Sequence, residues 1–95
     1  MFQVDAYVDC LKSIAEPSRL RILRLLKDGD LTVSDLTTIL GQSQPRVSRH
    51  LKLLLESHLI NRWQEGSWAL FRLVSSGTKA DLINALLAEM DPYDP

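Results

Sequence analysis

The chain has 95 residues, 45% of them hydrophobic and 24% charged, with a formal net charge of −1. That length makes room for one small domain around one core, and the composition excludes a disordered tail or a fibrous repeat. No apolar run approaches the roughly 20 residues of a membrane span, and Met1-Phe2-Gln3-Val4-Asp5 is acidic where a secretory signal is basic. The single Cys10 can build neither an internal disulfide nor a multi-cysteine metal site, so a cytoplasmic protein is expected.

In chain order, Val4, Val8, Leu11 and Ile14 form the stripe of a first amphipathic helix. It should end near Ala15, because Pro17 pushes the residue before it out of helical geometry. Pro17 fits the first position of a second helix, Arg19 to Leu26, for which Gly29 is the expected C-terminal cap. Thr32, with Asp35 three residues on, opens a short third helix carrying Leu36, Ile39 and Leu40 and ending at Gly41. Gln42 and Ser43 follow, and Ser43 caps a fourth helix whose buried stripe is Val47, Leu51, Leu54 and Leu55. His58 falls at or just past its end. The period then changes to that of two strands, Leu59–Gln64 and Trp68–Leu73, joined through Glu65-Gly66-Ser67 as a hairpin. Thr78 starts a last helix with Leu82, Ile83, Leu86, Leu87 and Met90 apolar. Residues 1–91 are expected to form the domain, and 92–95 a tail or the start of a linker.

The near-neutral total hides an asymmetry. Between Gly41 and Arg72 the charges are Arg46, Arg49, Lys52, Arg62 and Arg72 against Glu56 and Glu65, whereas Leu73 to Pro95 holds Lys79 against four acids. A basic middle suits a polyanion, although a solvated mixed surface fits the charges equally well. Two helices on a very short turn, the second with a cationic exposed face, read as a helix-turn-helix unit. Its second helix would offer an anion its N-terminal amides and the Ser43 hydroxyl. Arg46 and Arg49 can fork onto guanine edges and Gln44 can pair with adenine, whereas Lys52 suits a phosphate. The hairpin would be a wing with Arg62 and Gln64 available to the backbone or minor groove. An antiparallel helix pair whose polar face is merely wet would explain any one of these residues, but not the set. Arg19, Arg21 and Arg24 fit either phosphate contacts or a solvated face. Trp63 and Trp68 could stack on bases, but in a hairpin beside a helical core they read rather as packing residues. No nucleophile elbow or other catalytic signature surrounds the Ser, His and Asp residues, so no enzyme is expected.

Ile14-Ala15-Glu16-Pro17-Ser18-Arg19-Leu20-Arg21-Ile22-Leu23, Leu31–Leu40, and Ser43-Gln44-Pro45-Arg46-Val47-Ser48-Arg49-His50-Leu51 resemble the ArsR/SmtB family of bacterial repressors. Glu65-Gly66-Ser67-Trp68 and Phe71-Arg72-Leu73 match its wing, so the resemblance covers nearly the whole chain. It implies an α+β, mostly α, winged helix-turn-helix with a two-stranded wing and N- and C-terminal dimerisation helices. Such a homodimer represses transcription by binding double-stranded operator DNA and releases it on meeting an effector. Gln44, Arg46, Ser48, Arg49 and His50 carry over as DNA-facing, while Ser67 stands where many members have Arg or Lys. The excess apolar surface of the end helices, Val4, Val8 and Leu11 with Leu82, Leu86 and Met90, is assigned to the dimer seam. The alternative is a winged-helix interaction module that does not bind DNA.

The resemblance also bears on the effector. Arsenic and cadmium sensors of this family place cysteines in the third helix, where this chain has Leu31-Thr32-Val33-Ser34-Asp35-Leu36. Zinc sensors use Asp and His on the last helix, and Thr78–Met90 contains no histidine. Redox sensors need two cysteines. No metal site and no cofactor are expected. Cys10 reads as a semi-buried helix residue or, failing that, an intersubunit disulfide. Leu87–Pro95 resembles the junction after which some members continue into an S-adenosylmethionine-dependent methyltransferase domain. Any effector is therefore expected to be a small organic molecule or to act through such a fused domain, unless the chain has none.

Overall fold

The computed structural model describes residues 3–90; the expected tail, 92–95, lies outside them. The order is α1 (Val4–Ile14), α2 (Pro17–Lys27), α3 (Val33–Leu40), α4 (Gln44–Glu56), β1 (Ile60–Glu65), β2 (Trp68–Leu73) and α5 (Thr78–Ala88). Local chemistry sets most of these boundaries. Pro17 occupies the first turn of α2, where a missing N–H is harmless, and Glu16 caps that helix by accepting from the Arg19 amide at 2.8 Å. Thr32 and Asp35 close a reciprocal capping box on α3, both bonds at 3.0 Å. Gly41 ends α3 at φ 66°, a left-handed geometry that only glycine adopts without steric cost.

One helix end differs from expectation, and another carries a left-handed cap at the residue expected just past it. Gly29 is not the left-handed cap of α2: Asp28 ends that helix in right-handed geometry, its amide bonded back to Leu25 and the Gly29 amide to Leu26. Its carboxylate meets Arg24 at 2.9 Å, one turn earlier, so the helix closes without any reversal at glycine. The left-handed cap occurs instead after α4, at His58 (φ 59°). His58 donates its amide to the Leu55 carbonyl and Leu59 donates to Leu54, the paired bonds of a Schellman motif. A non-glycine residue there costs about 1–2 kcal/mol, and glycine loses part of that gain to its freer unfolded chain. His58→Gly should therefore stabilise the fold by about 0.5–1 kcal/mol. Its thermal midpoint should rise by several degrees at matched protein concentration; a fall would mean that the imidazole makes a stabilising contact.

The hairpin pairs β1 and β2 antiparallel from Ile60↔Leu73 to Glu65↔Trp68. Its two-residue turn has Gly66 at φ 58° in the first central position, as hairpin turns favour. One element has no sequence signature. Leu31 and Phe71 exchange two backbone bonds, 3.1 and 2.8 Å, so the segment before α3 adds a one-residue third rung to the sheet. That rung fixes the wing to the helical body. The core lies between α2, α4 and the inner face of the hairpin, with Ile22, Leu36, Val47, Leu54 and Leu59 fully enclosed. Each such side chain contributes on the order of 1.5–3 kcal/mol by burial. The buried stripe of α4 is the expected one, with Leu55 only half-buried.

Candidate nucleic-acid interface

Because Val47, Leu51 and Leu54 point into the core, helical periodicity turns the other side of α4 to solvent. Ser43, Gln44, Arg46, Arg49 and Lys52 are all exposed there, and Ser48 is half-buried at the flank. Ser43 Oγ accepts from the Arg46 amide at 3.4 Å, and Pro45 has no N–H. The first-turn amides open to an anion are thus Gln44 and the loosely capped Arg46.

Two of the arginines are held by carboxylates. Arg24 is held by Asp28, and Arg72 is held by Asp30 at 2.7 Å while stacking 4.7 Å above the Trp63 ring. Arg72, part of the basic middle of the sequence, therefore fastens the outer face of the wing to the α2–α3 connection. Arg46, Arg49 and Lys52 pair with no carboxylate among the described residues. Three cations without a carboxylate partner thus share one exposed face of α4.

The wing residues Arg62 and Gln64 are exposed. They share a hairpin face with the buried Ile60 and Phe71, continuing past the edge of the core. Gln64 also donates to the Gly66 carbonyl at 3.2 Å, bracing the turn. Trp63 is half-buried as expected, but Trp68, expected to be a packing residue, is 62% exposed beside the wing tip. Pairing with Glu65 at the end of the ladder leaves it beyond the reach of the core.

His50 is the main departure from the expected site. Its side chain is only 15% exposed and turns toward α2 rather than to the open face. Nδ1 lies 3.2 Å from the Arg19 guanidinium and 3.8 Å from Glu16 Oε2. Burial lowers its pKa below the ordinary imidazole value, with Arg19, Arg46 and Arg49 adding to the effect and Glu16 opposing it. Helical position alone places residue 50 one step from Arg49. The partner on α2, 31 residues earlier, cannot be read from local sequence.

Elsewhere on the surface α1 exposes Val4 (77%), Val8 and Leu11, while α5 exposes Leu86. Tyr7, absent from the expected seam, is exposed on the same α1 stripe. Leu82 and Met90 are instead half-buried against the protein's own core, so of the α5 residues assigned to a seam only Leu86 is exposed. Cys10 is 2% exposed, too deep for an intersubunit disulfide. Burial pushes its thiol up, against an opposing pull from Lys79. Among the described residues, no three His, Cys, Asp or Glu side chains are grouped to hold a metal ion, and no helix is long and apolar enough to cross a membrane.

The profile of the arsR family of bacterial regulatory proteins matches residues 16–62, from the cap of α2 into the wing. The chain is 46% identical over 67 residues to the arsenical resistance operon repressor of Escherichia coli, covering 70% of this chain and 57% of that protein. It is 34% identical over 76 residues to the transcriptional repressor SdpR of Bacillus subtilis, covering 80% and 83%. Among solved structures it resembles the homodimeric winged helix-turn-helix DNA-binding domain of Mb0332 from Mycobacterium bovis. That likeness has a TM-score of 0.75 at 26% identity, covering 90% of this chain and 74% of that one. The chain belongs to the arsR family of bacterial regulatory proteins and is a winged helix-turn-helix transcriptional regulator.

Proposed function

We propose that the protein acts in the cytoplasm as a homodimeric repressor that binds a two-fold operator in duplex DNA. The observation that carries this reading is the set of uncommitted polar groups on one face of α4. Gln44, Arg46 and Arg49 are suited to base edges, Ser43 and Lys52 to phosphates, and Arg62 and Gln64 on the wing extend the contact. The exposed stripe of α1 with Leu86 supplies the seam, in keeping with the homodimeric state of the Mycobacterium bovis domain. An interaction module that has abandoned DNA would have no use for so complete a set of free donors. The test is selection of duplexes from a random pool, followed by titration against salt. A selected site should show two half-sites about 10 bp apart or a multiple of that. Binding should weaken as log K falls by roughly 0.9 per neutralised phosphate and per log unit of salt; failure to enrich any sequence overturns the reading.

Any effector, we infer, is an organic small molecule or acts through a fused domain, such as the methyltransferase to which the junction-like last residues lead in some members. Thiophilic ions need thiolates, α3 supplies the hydroxyls of Thr32 and Ser34, and Cys10 is sealed in the core. Micromolar arsenite, cadmium or zinc should leave the anisotropy of a labelled protein–DNA complex unchanged. Stoichiometric release by one ion, abolished in Cys10→Ser, would contradict this.

A further inference from the structure

Arg19, on α2, is bonded to parts of three other segments. The last carbonyls of α1 can be followed one by one. Leu11 accepts from the Ala15 amide at 2.9 Å and Ile14 from the Glu16 amide at 2.7 Å. The two between them have no backbone donor of this kind, and the Arg19 guanidinium serves both: Nε donates to Ser13 at 2.5 Å and one terminal nitrogen to Lys12 at 3.4 Å. A cation at the carbonyl end of a helix is favourably placed. The remaining guanidinium nitrogen lies 3.2 Å from His50 Nδ1 on α4. Guanidinium can only donate, so Nδ1 accepts, which places the imidazole proton on Nε2 and makes the ring neutral. The Arg19 amide, meanwhile, is bonded to the Glu16 carboxylate that caps α2.

One planar group thus connects the end of α1, the start of α2 and the middle of α4. A second connection joins α1 and α5 to the far end of α4. Its cap residue Ser57 meets Ser13 of α1 through their hydroxyls, and its carbonyl accepts from Lys79 of α5 at 2.7 Å. Both helices assigned to the seam, α1 and α5, therefore hold α4 at its far end, and Arg19 holds its middle, next to Arg49.

We propose that Arg19 is a positioning residue for DNA recognition, using His50 as its handle to fix the orientation of α4 relative to α1. This rests on the DNA-binding reading above. It removes His50 from the reading face and gives it a different task. It also makes specific recognition dependent on the proton state of His50. The groups facing that ring are Glu16 and Arg19 from α2 and Arg46 and Arg49 on α4 itself, with the Lys12 and Ser13 carbonyls of α1 engaged beyond Arg19. A neutral ring accepts from Arg19. A protonated ring cannot, and it faces the Glu16 carboxylate 3.8 Å away as its alternative partner. Because burial holds the imidazole pKa below its ordinary value, the neutral linkage prevails at neutral pH and is lost as pH falls through that lowered value.

The experiment compares the full chain with Arg19→Ala, His50→Leu and His50→Gln on a duplex selected by the wild type and on a random duplex. His50→Leu leaves Arg19 in place on the α1 carbonyls, so it separates the linkage from the helix cap should Arg19→Ala fail to fold. His50→Leu and Arg19→Ala should each lose at least tenfold in affinity for the selected duplex and less than threefold for random DNA. His50→Gln, which keeps an acceptor without a titration, should recover most of the loss. As pH falls from 7.5 through the lowered imidazole pKa, the wild type should lose preference for the selected duplex at least fivefold more than His50→Gln does. In parallel, imidazole NMR of the DNA-free protein should show the Nε2–H tautomer, with the His50 midpoint rising in Arg19→Ala. An unchanged midpoint overturns the linkage, and wild-type affinity in His50→Leu overturns its role in recognition. If the wild type selects no duplex, the DNA-binding reading fails and this role with it, while the NMR arm still decides whether the linkage exists.

Discussion

Val8→Glu combined with Leu11→Glu should give a folded monomer whose affinity for the selected duplex is lower by a factor of about 100 to 10,000. Both side chains are exposed on α1 in the single chain, so glutamate there leaves the core packing intact; the helix interior rests on Cys10 and Ile14 instead. Glutamate also favours helix more than valine does. In a two-fold dimer each substitution occurs twice, facing apolar surface from the other copy. Burying such unpaired carboxylates costs several kcal/mol, enough to dissociate a micromolar dimer. DNA affinity then falls because the second half-site is no longer met at the high effective concentration that linkage provides. Sedimentation equilibrium reads the assembly, circular dichroism the fold, and anisotropy the binding. Leu86→Asp is a harsher version, because its neighbours Ile83 and Leu87 on α5 belong to the core. A double variant that stays dimeric and binds normally would remove α1 from the seam.

The elements can be located from sequence wherever a boundary is chemical and local. Pro17 after Glu16, the Thr32–Asp35 pair, Gly41 and the Ser43 cap each act within four residues, and the structure places all four as expected. Gly29 and His58 show how far such reasoning goes. Glycine permits left-handed geometry without requiring it, and the Arg24–Asp28 pair closes α2 first. At His58 the Leu59 amide must return to Leu54 while the Leu59 side chain enters the core. Packing of that leucine outweighs the cost of an unfavourable φ at the residue before it. The Leu31–Phe71 rung joins positions 40 residues apart, and no periodicity announces a one-residue strand.

The candidate site divides along the same line. Exposure of Gln44, Arg46, Arg49 and Lys52 follows from the buried stripe of α4 alone, and the structure agrees. What local sequence cannot assign is the partner of each cation. Arg72 and Arg46 carry the same charge, and their difference is Asp30, brought up by the α2–α3 connection. His50 departs from the expected DNA-facing role because its partners Glu16 and Arg19 come from another helix. Residues that act through long-range partners are hidden from sequence, whereas residues that act by being free are visible in it.

Arg46→Ala and Arg49→Ala should each weaken binding to the selected duplex by about 1–3 kcal/mol, or 5- to 150-fold, while changing the base preference at one position per half-site. A guanidinium bidentate to guanine O6 and N7 supplies discrimination that a truncated side chain cannot replace. Neither arginine has a carboxylate partner among the described residues, so no internal ion pair need be broken on binding. The same fact keeps the folded state intact in the variants. Lys52 lies further along the helix, away from its N-terminus, where a point charge meets phosphate. Lys52→Ala should therefore weaken selected and random duplexes alike and lower the magnitude of the salt slope by about 1 for each phosphate that Lys52 neutralises. Truncating Arg49 should instead lower the ratio of selected to random affinity. The measurement is a set of anisotropy titrations over at least a fourfold range of salt, on the selected duplex, single-base variants of it and a random duplex. Equal losses on all three for Arg49→Ala would move Arg49 from the bases to the backbone, and leave Gln44 and Arg46 to account for sequence selectivity.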